Sequence, residues 1–269
     1  MKYFLNFLFI GVLLLQSMEP EAAINYRIVW KENFTESEKT KVESWLSTCT
    51  QAVSTCLGDY PFEVTYYMHR RENASEPVPW ANTIRNGEQG VEFYIDPTFD
   101  LKDFLDDWTA PHEIANLSIP YVGKENMWFS EGYASYMQYL IMVEMDVLEQ
   151  DEAEERMQER MNKIVGKYNT TEDVVSVNRA LIAKHNYPAA YWGGACYFAH
   201  VNKALMTEKG VSLMQVIQGY QSSNRLSDAS LEEVISSLDI QSGTRLFRKW
   251  YELFLNAPSK DLINRKSIQ

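Results

Sequence analysis

The sequence predicts an α+β protein, with a small N-terminal α/β lobe containing a sheet and then a mainly helical C-terminal lobe. Three observations carry this. Short runs rich in β-formers, such as residues 62–68 (FEVTYYM), occur only before residue 100. After that point apolar residues recur at helical spacing. Two Ser/Thr-x-x-Glu capping boxes, Thr35 to Glu38 and Ser230 to Glu233, mark helix starts in the two halves.

The composition sets limits. The chain has 269 residues, a net charge of −12, and 45% hydrophobic residues, enough for a sizeable core. It is not collagenous, disulfide-dense or of disordered type. An acidic balance argues against a nucleic-acid backbone as partner, which needs a clustered basic surface.

Taken in order, residues 1–23 read as a signal peptide or an uncleaved N-terminal anchor. Lys2 precedes an apolar run, residues 3–15, too short to span a bilayer comfortably. The mature protein is therefore expected outside the cytoplasm, secreted or periplasmic, with no other membrane segment. Residues 24–99 form the α/β lobe. Residues 26–30 are a strand, and a helix with Val42, Trp45, Leu46, Cys49 and Val53 on its apolar side ends at Gly58. A strand over 62–68, a polar loop over 72–79 and a pair of strands about an Asn86-Gly87 turn complete it. Residues 100–269 form the helical lobe. A helix opens near Thr109, with Pro111 tolerated in its first turn and Pro120 beyond its end; a longer helix kinked at Pro111 is the alternative. Further helices are expected over 128–148, 150–167, 174–184, 190–206, 213–220, 231–238 and 244–255.

Cys49 and Cys56 invite a disulfide, but on one continuous helix they lie roughly 10 Å apart, beyond bridging reach. The three cysteines are read as core. Asn33, Asn73, Asn116 and Asn169 sit in glycosylation sequons.

The chemistry concentrates in residues 108–140, WTAPHEIANLSIPYVGKENMWFSEGYASYMQYL. His112 and Asn116 are four apart, so they project from one helix face. At that spacing two imidazoles can grip one ion, with Glu113 beside them to hold an attacking water. Glu131 follows after 14 intervening residues, which lets the next helix fold back over the site. This layout resembles the gluzincin zinc metallopeptidases, the group that includes membrane alanyl and glycyl aminopeptidases. In that family the motif is His-Glu-x-x-His with a Glu on the next helix. The run Trp128-Phe129-Ser130-Glu131-Gly132 resembles the second motif, and Tyr191-Trp192-Gly193-Gly194-Ala195 resembles the family's Tyr-x-Lys-Gly-Ala segment.

The resemblance implies a thermolysin-like fold with the site at the junction of the lobes. It implies one zinc ion on His112 and Glu131, with Asn116 in the remaining ligand position. Glu113 would be the general base, and Tyr191 the donor to the oxyanion. Glu88, in Gly87-Glu88-Gln89-Gly90, stands where the family holds a substrate's free amino group. A peptide or protein is the implied partner.

Asn116 departs from the family. A carboxamide is a neutral, hard donor better suited to calcium than to zinc. Changes outside the ligand set already weaken metal binding by roughly 10–100-fold, and a lost ligand costs at least that. Without a firmly held ion no water is acidified. The expectation is a metallopeptidase-like protein with impaired or absent hydrolysis. The alternative is a non-catalytic relative that binds peptide or protein in the same cleft. His185 is a candidate replacement ligand, though an exposed role suits it better; Cys196 and His200 read as core, and His69 has no evident partner.

Overall fold

The computed structural model describes residues 24–266 apart from residues 86, 224, 226 and 227. The segment read as a signal peptide or anchor, residues 1–23, lies outside the described residues. No described helix is long and apolar enough to cross a membrane.

The chain begins with strand β1 (Tyr26–Trp30), helix α1 (Glu36–Leu57) and strand β2 (Val64–Arg70). β1 and β2 are parallel neighbours, joined through α1. β3 (Trp80–Ile84) and β4 (Gly90–Ile95) follow as an antiparallel pair, and β4 lies parallel to β2. The four-stranded order is β1-β2-β4-β3, which leaves β3 at an edge. Thr35 caps α1 through the predicted box: its hydroxyl accepts from Glu38 N–H, and Glu38 accepts from Thr35 N–H. Gly58 ends the helix with φ +84°.

One sheet face packs on α1. Tyr66, Met68, Val91 and Phe93 are buried there, and the Trp45 ring lies 5.3 Å from Phe93 and 5.0 Å from Phe104. The opposite face is half solvated, as an alternating strand permits. On it His69 stacks on Tyr94 at 4.4 Å and meets Glu32, so the histidine that lacked an evident partner has two.

The rest is helical: α2 (Leu101–Asp106), α3 (Thr109–Asn116), α4 (Met127–Glu144), α5 (Gln150–Ile164), α6 (Val174–Ala183), α7 (Tyr187–Lys209), α8 (Leu213–Ser223), α9 (Leu231–Ser242), α10 (Leu246–Asn256) and α11 (Ser259–Leu262). α1 packs against α3, α4 and α8, so one hydrophobic core runs from the sheet through the helices. The change at residue 100 is a change in element type within that core.

α4 and α7 form the most extensive helix pair. Glycines make it possible. A Cβ at Gly132 would lie 2.4 Å from the Gly194 carbonyl carbon, and one at Gly194 would lie 1.9 Å from the Trp128 carbonyl oxygen. The glycines beside Glu131 and Tyr191 therefore set how closely the two helices approach. Cys49 and Cys56 both lie on unbroken α1, and all three cysteines are buried free thiols.

Candidate functional site

Both ends of the eight-residue helix α3 are fixed by side chains. Its start is held by Asp107, whose carboxylate accepts from Thr109 N–H at 2.7 Å; Thr109 is thus the first helical residue. Pro111 lacks an N–H where none is needed, and His112 N–H makes the first full-turn bond, to Trp108 at 3.1 Å. At the other end four side chains take the terminal carbonyls. Tyr60 donates to Ile114 O at 2.7 Å, Arg85 to Asn116 O, Arg225 to Leu117 O at 3.1 Å and Gln221 to Ser118 O. Two guanidinium groups at a helix C-terminus also complement its dipole.

α3 lies between β3 and α4, and a cleft of about 1070 Å³ opens there. His112, Glu113, Glu131 and Tyr191 all line it. Four residues separated by up to 79 positions are thus brought to one place.

His112 is almost fully buried and both its ring nitrogens are engaged. Nδ1 meets Gln138 Oε1 at 3.0 Å, and Nε2 meets Glu131 Oε2 at 3.1 Å. A doubly protonated ring satisfies both oxygens at once. Burial works to lower the His112 pKa, but hydrogen-bonded Glu131, with Glu113 nearby, carries it above the usual histidine value. Glu113 is bonded by the Thr83 hydroxyl at 2.5 Å, from edge strand β3. Burial first, then the charge of Glu131, holds the Glu113 carboxyl above the usual range. Tyr191 rests its hydroxyl 3.9 Å from Met127 Sδ. Burial and the charges of Glu131 and Glu113 raise its pKa, so the phenol stays protonated as a donor.

Asn116 and Glu88 are not brought into this group. Asn116 is 1% exposed, it does not line the cleft, and its Oδ1 has no hydrogen-bond partner among the described residues. Glu88 does not line the cleft; its carboxylate is bonded by Arg27, Thr65 and Tyr67, each at 2.7 Å. The carboxylates that line the cleft are Glu92, Glu113 and Glu131. His185 is exposed and contacts the Tyr187 hydroxyl at 3.0 Å. His200 stacks on Trp250 at 4.4 Å, within the core.

Sequence reasoning passed over three contributors. Gln138 sits two turns beyond Glu131 on α4, where an i+7 polar residue faces the same side. Glu92 reaches the cleft from β4. Arg85 follows β3 and lines the cleft floor while donating to Asn116 O. Burial brings its pKa down to about 10 against the pull of Glu131 and Glu113, so it remains a cation at neutral pH within electrostatic reach of both.

These residues do not fit a closed zinc site. Among the described residues no cluster of three His, Cys, Asp or Glu side chains is arranged to hold a metal ion. The imidazole nitrogen that would bind the ion is spent on Glu131, and the position four residues on lies outside the cleft.

No protein-family model matches the sequence, and no curated protein matches it either. Solved structures do. An aminopeptidase N family protein from Idiomarina loihiensis superposes with a TM-score of 0.60 at 14% identity, over 87% of this chain and 45% of that one. An M1 zinc metallopeptidase from Deinococcus radiodurans superposes with a TM-score of 0.52 at 12% identity, over 87% and 48%. A mutant of the latter bound to a Tyr-Ser-Ala substrate gives 0.51 at 12%, over 87% and 49%. The chain spans less than half the length of these proteins and shares their fold.

Proposed function

We propose that this protein is a peptide-binding relative of the M1 zinc aminopeptidases in which the cleft is retained and metal-dependent hydrolysis is impaired or lost. The observation that carries this reading is the direct His112–Glu131 contact, with Asn116 buried outside the cleft. The two ligands expected from the family hold each other, and the third position offers no donor. Peptide as ligand is supported by the shared fold with an enzyme bound to a Tyr-Ser-Ala substrate. It is supported also by the cleft's own make-up. β3 presents a sheet edge along it, to which an extended backbone can add by main-chain hydrogen bonds. Trp80, Trp108, Tyr121 and Tyr187 line it although each is at least 36% exposed. Large aromatic surface left in water at a cleft favours a ligand that covers it.

The second reading is a weak metallopeptidase. It is favoured by one observation: Glu113, Tyr191, Glu131 and His112 still share the cleft. In either case the segment over residues 1–23 would deliver the protein out of the cytoplasm, where extracellular or periplasmic peptides are the available ligands.

The test is fluorescence anisotropy of labelled short peptides with free amino termini, in chelator and in added zinc. Saturable binding in chelator, competed by unlabelled peptide, is the expected result. Binding that requires zinc would favour the second reading, and no binding to any peptide would remove the first.

A further inference from the structure

We infer that Arg85 is a built-in cation of the cleft whose charge excludes a divalent ion from it. It does not depend on what the cleft binds. The cleft floor carries two carboxylates, Glu113 and Glu131, and a metallopeptidase-type site would set a divalent cation between such groups. Here a fixed monovalent cation is already present. Arg85 lines the same cleft as both carboxylates.

Arg85 is also held there. Its guanidinium donates to the Asn116 carbonyl, beside the residue that replaces a ligand histidine. Two residues earlier in the chain, Thr83 bonds Glu113 at 2.5 Å, so the segment from β3 fixes both the base and the cation. Arginine is not deprotonated in proteins at ordinary pH, so this charge cannot leave when an ion approaches. A guanidinium anchored at a helix end cannot swing away without exposing the carbonyl it satisfies. A divalent ion added to this floor would meet a fixed like charge. Replacing Asn116 by histidine would therefore supply a ligand without supplying a vacancy for charge.

Zinc affinity of the metal-free protein, read by competition with a chromophoric chelator, tests this. The proteins to compare are Asn116→His, Asn116→His with Arg85→Gln, and Asn116→His with Arg85→Lys, each checked for folding by its thermal transition. Both replacements of Arg85 disturb the helix-end contact, but only glutamine removes the charge. The expected result is that Arg85→Gln tightens zinc binding by about tenfold or more over Asn116→His alone, while Arg85→Lys does not. If Asn116→His alone binds as tightly as its combination with Arg85→Gln, or if Arg85→Lys tightens binding equally, the inference fails. Should Asn116→His fail to fold, the same comparison in the Asn116 background decides. There Arg85→Gln must gain affinity over wild type, and Arg85→Lys must not.

Discussion

The backbones of Gly132 and Gly194 touch: a Cβ on the first would lie 2.4 Å from the carbonyl carbon of the second. Glu131 and Tyr191 sit one and three positions away, so this contact sets their spacing across the cleft. Gly132→Ala must push α4 from α7 against main-chain atoms, which cannot rotate aside. The expected loss is about 1–3 kcal/mol of stability by chemical denaturation. A variant as stable as wild type would show that the helices are not in contact there.

Glu38 couples a cap to an ion pair. Hydrogen bonds from Arg70, then from Thr35, hold its carboxyl down to about 2, against burial. A carboxyl depressed in the folded state stabilises it above the unfolded pKa and loses that effect as pH falls through the folded value. Glu38→Gln is expected to cost about 1–2 kcal/mol near neutral pH. Urea unfolding at stepped pH should show that cost shrinking from about pH 4.5 toward pH 2. A cost independent of pH would mean the Arg70 pair contributes nothing.

Burial pushes the Cys56 and Cys196 thiols up to about 12, and Cys49 higher still. Thiolate is the reactive form, so none of the three should react with a disulfide reagent in the native protein near pH 8. All three should react after unfolding without reductant. Release of only one thiol equivalent would reveal a bridge between Cys49 and Cys56.

The exposed rings at the cleft mouth should bind more than they stabilise. Trp108 is 44% exposed and meets His112 edge-on at 5.5 Å. Trp108→Ala is expected to weaken peptide binding by about 1–2 kcal/mol, roughly five- to thirtyfold, with little change in the unfolding midpoint. Equal loss of stability and binding would assign the ring to the scaffold instead.

Much of this was legible in the chain. The Thr35 and Ser230 boxes located two helix starts, because capping acts within four residues. The Glu-Gly and Gly-Gly-Ala motifs placed Glu131 and Tyr191 in one cleft with His112 and Glu113. Boundaries were less exact: α7 runs from Tyr187 to Lys209, wider than the apolar periodicity indicated, and the short α11 carried no signal. Arg85 was not legible. A lone arginine at a strand end looks solvated until tertiary packing buries it. Glu88 was placed near the right strands by its turn, but the turn could not show that Arg27, Thr65 and Tyr67 would take up its carboxylate away from the cleft lining.

The central claim, a peptide cleft without effective metal-dependent turnover, is met most directly by prolonged incubation of the wild-type protein with a defined peptide mixture. Zinc is supplied in one arm and chelator in the other, and mass spectrometry reads the products. The account predicts the same intact peptides in both arms, indistinguishable from Glu113→Gln. Zinc-dependent cleavage that disappears in chelator and in Glu113→Gln would contradict it.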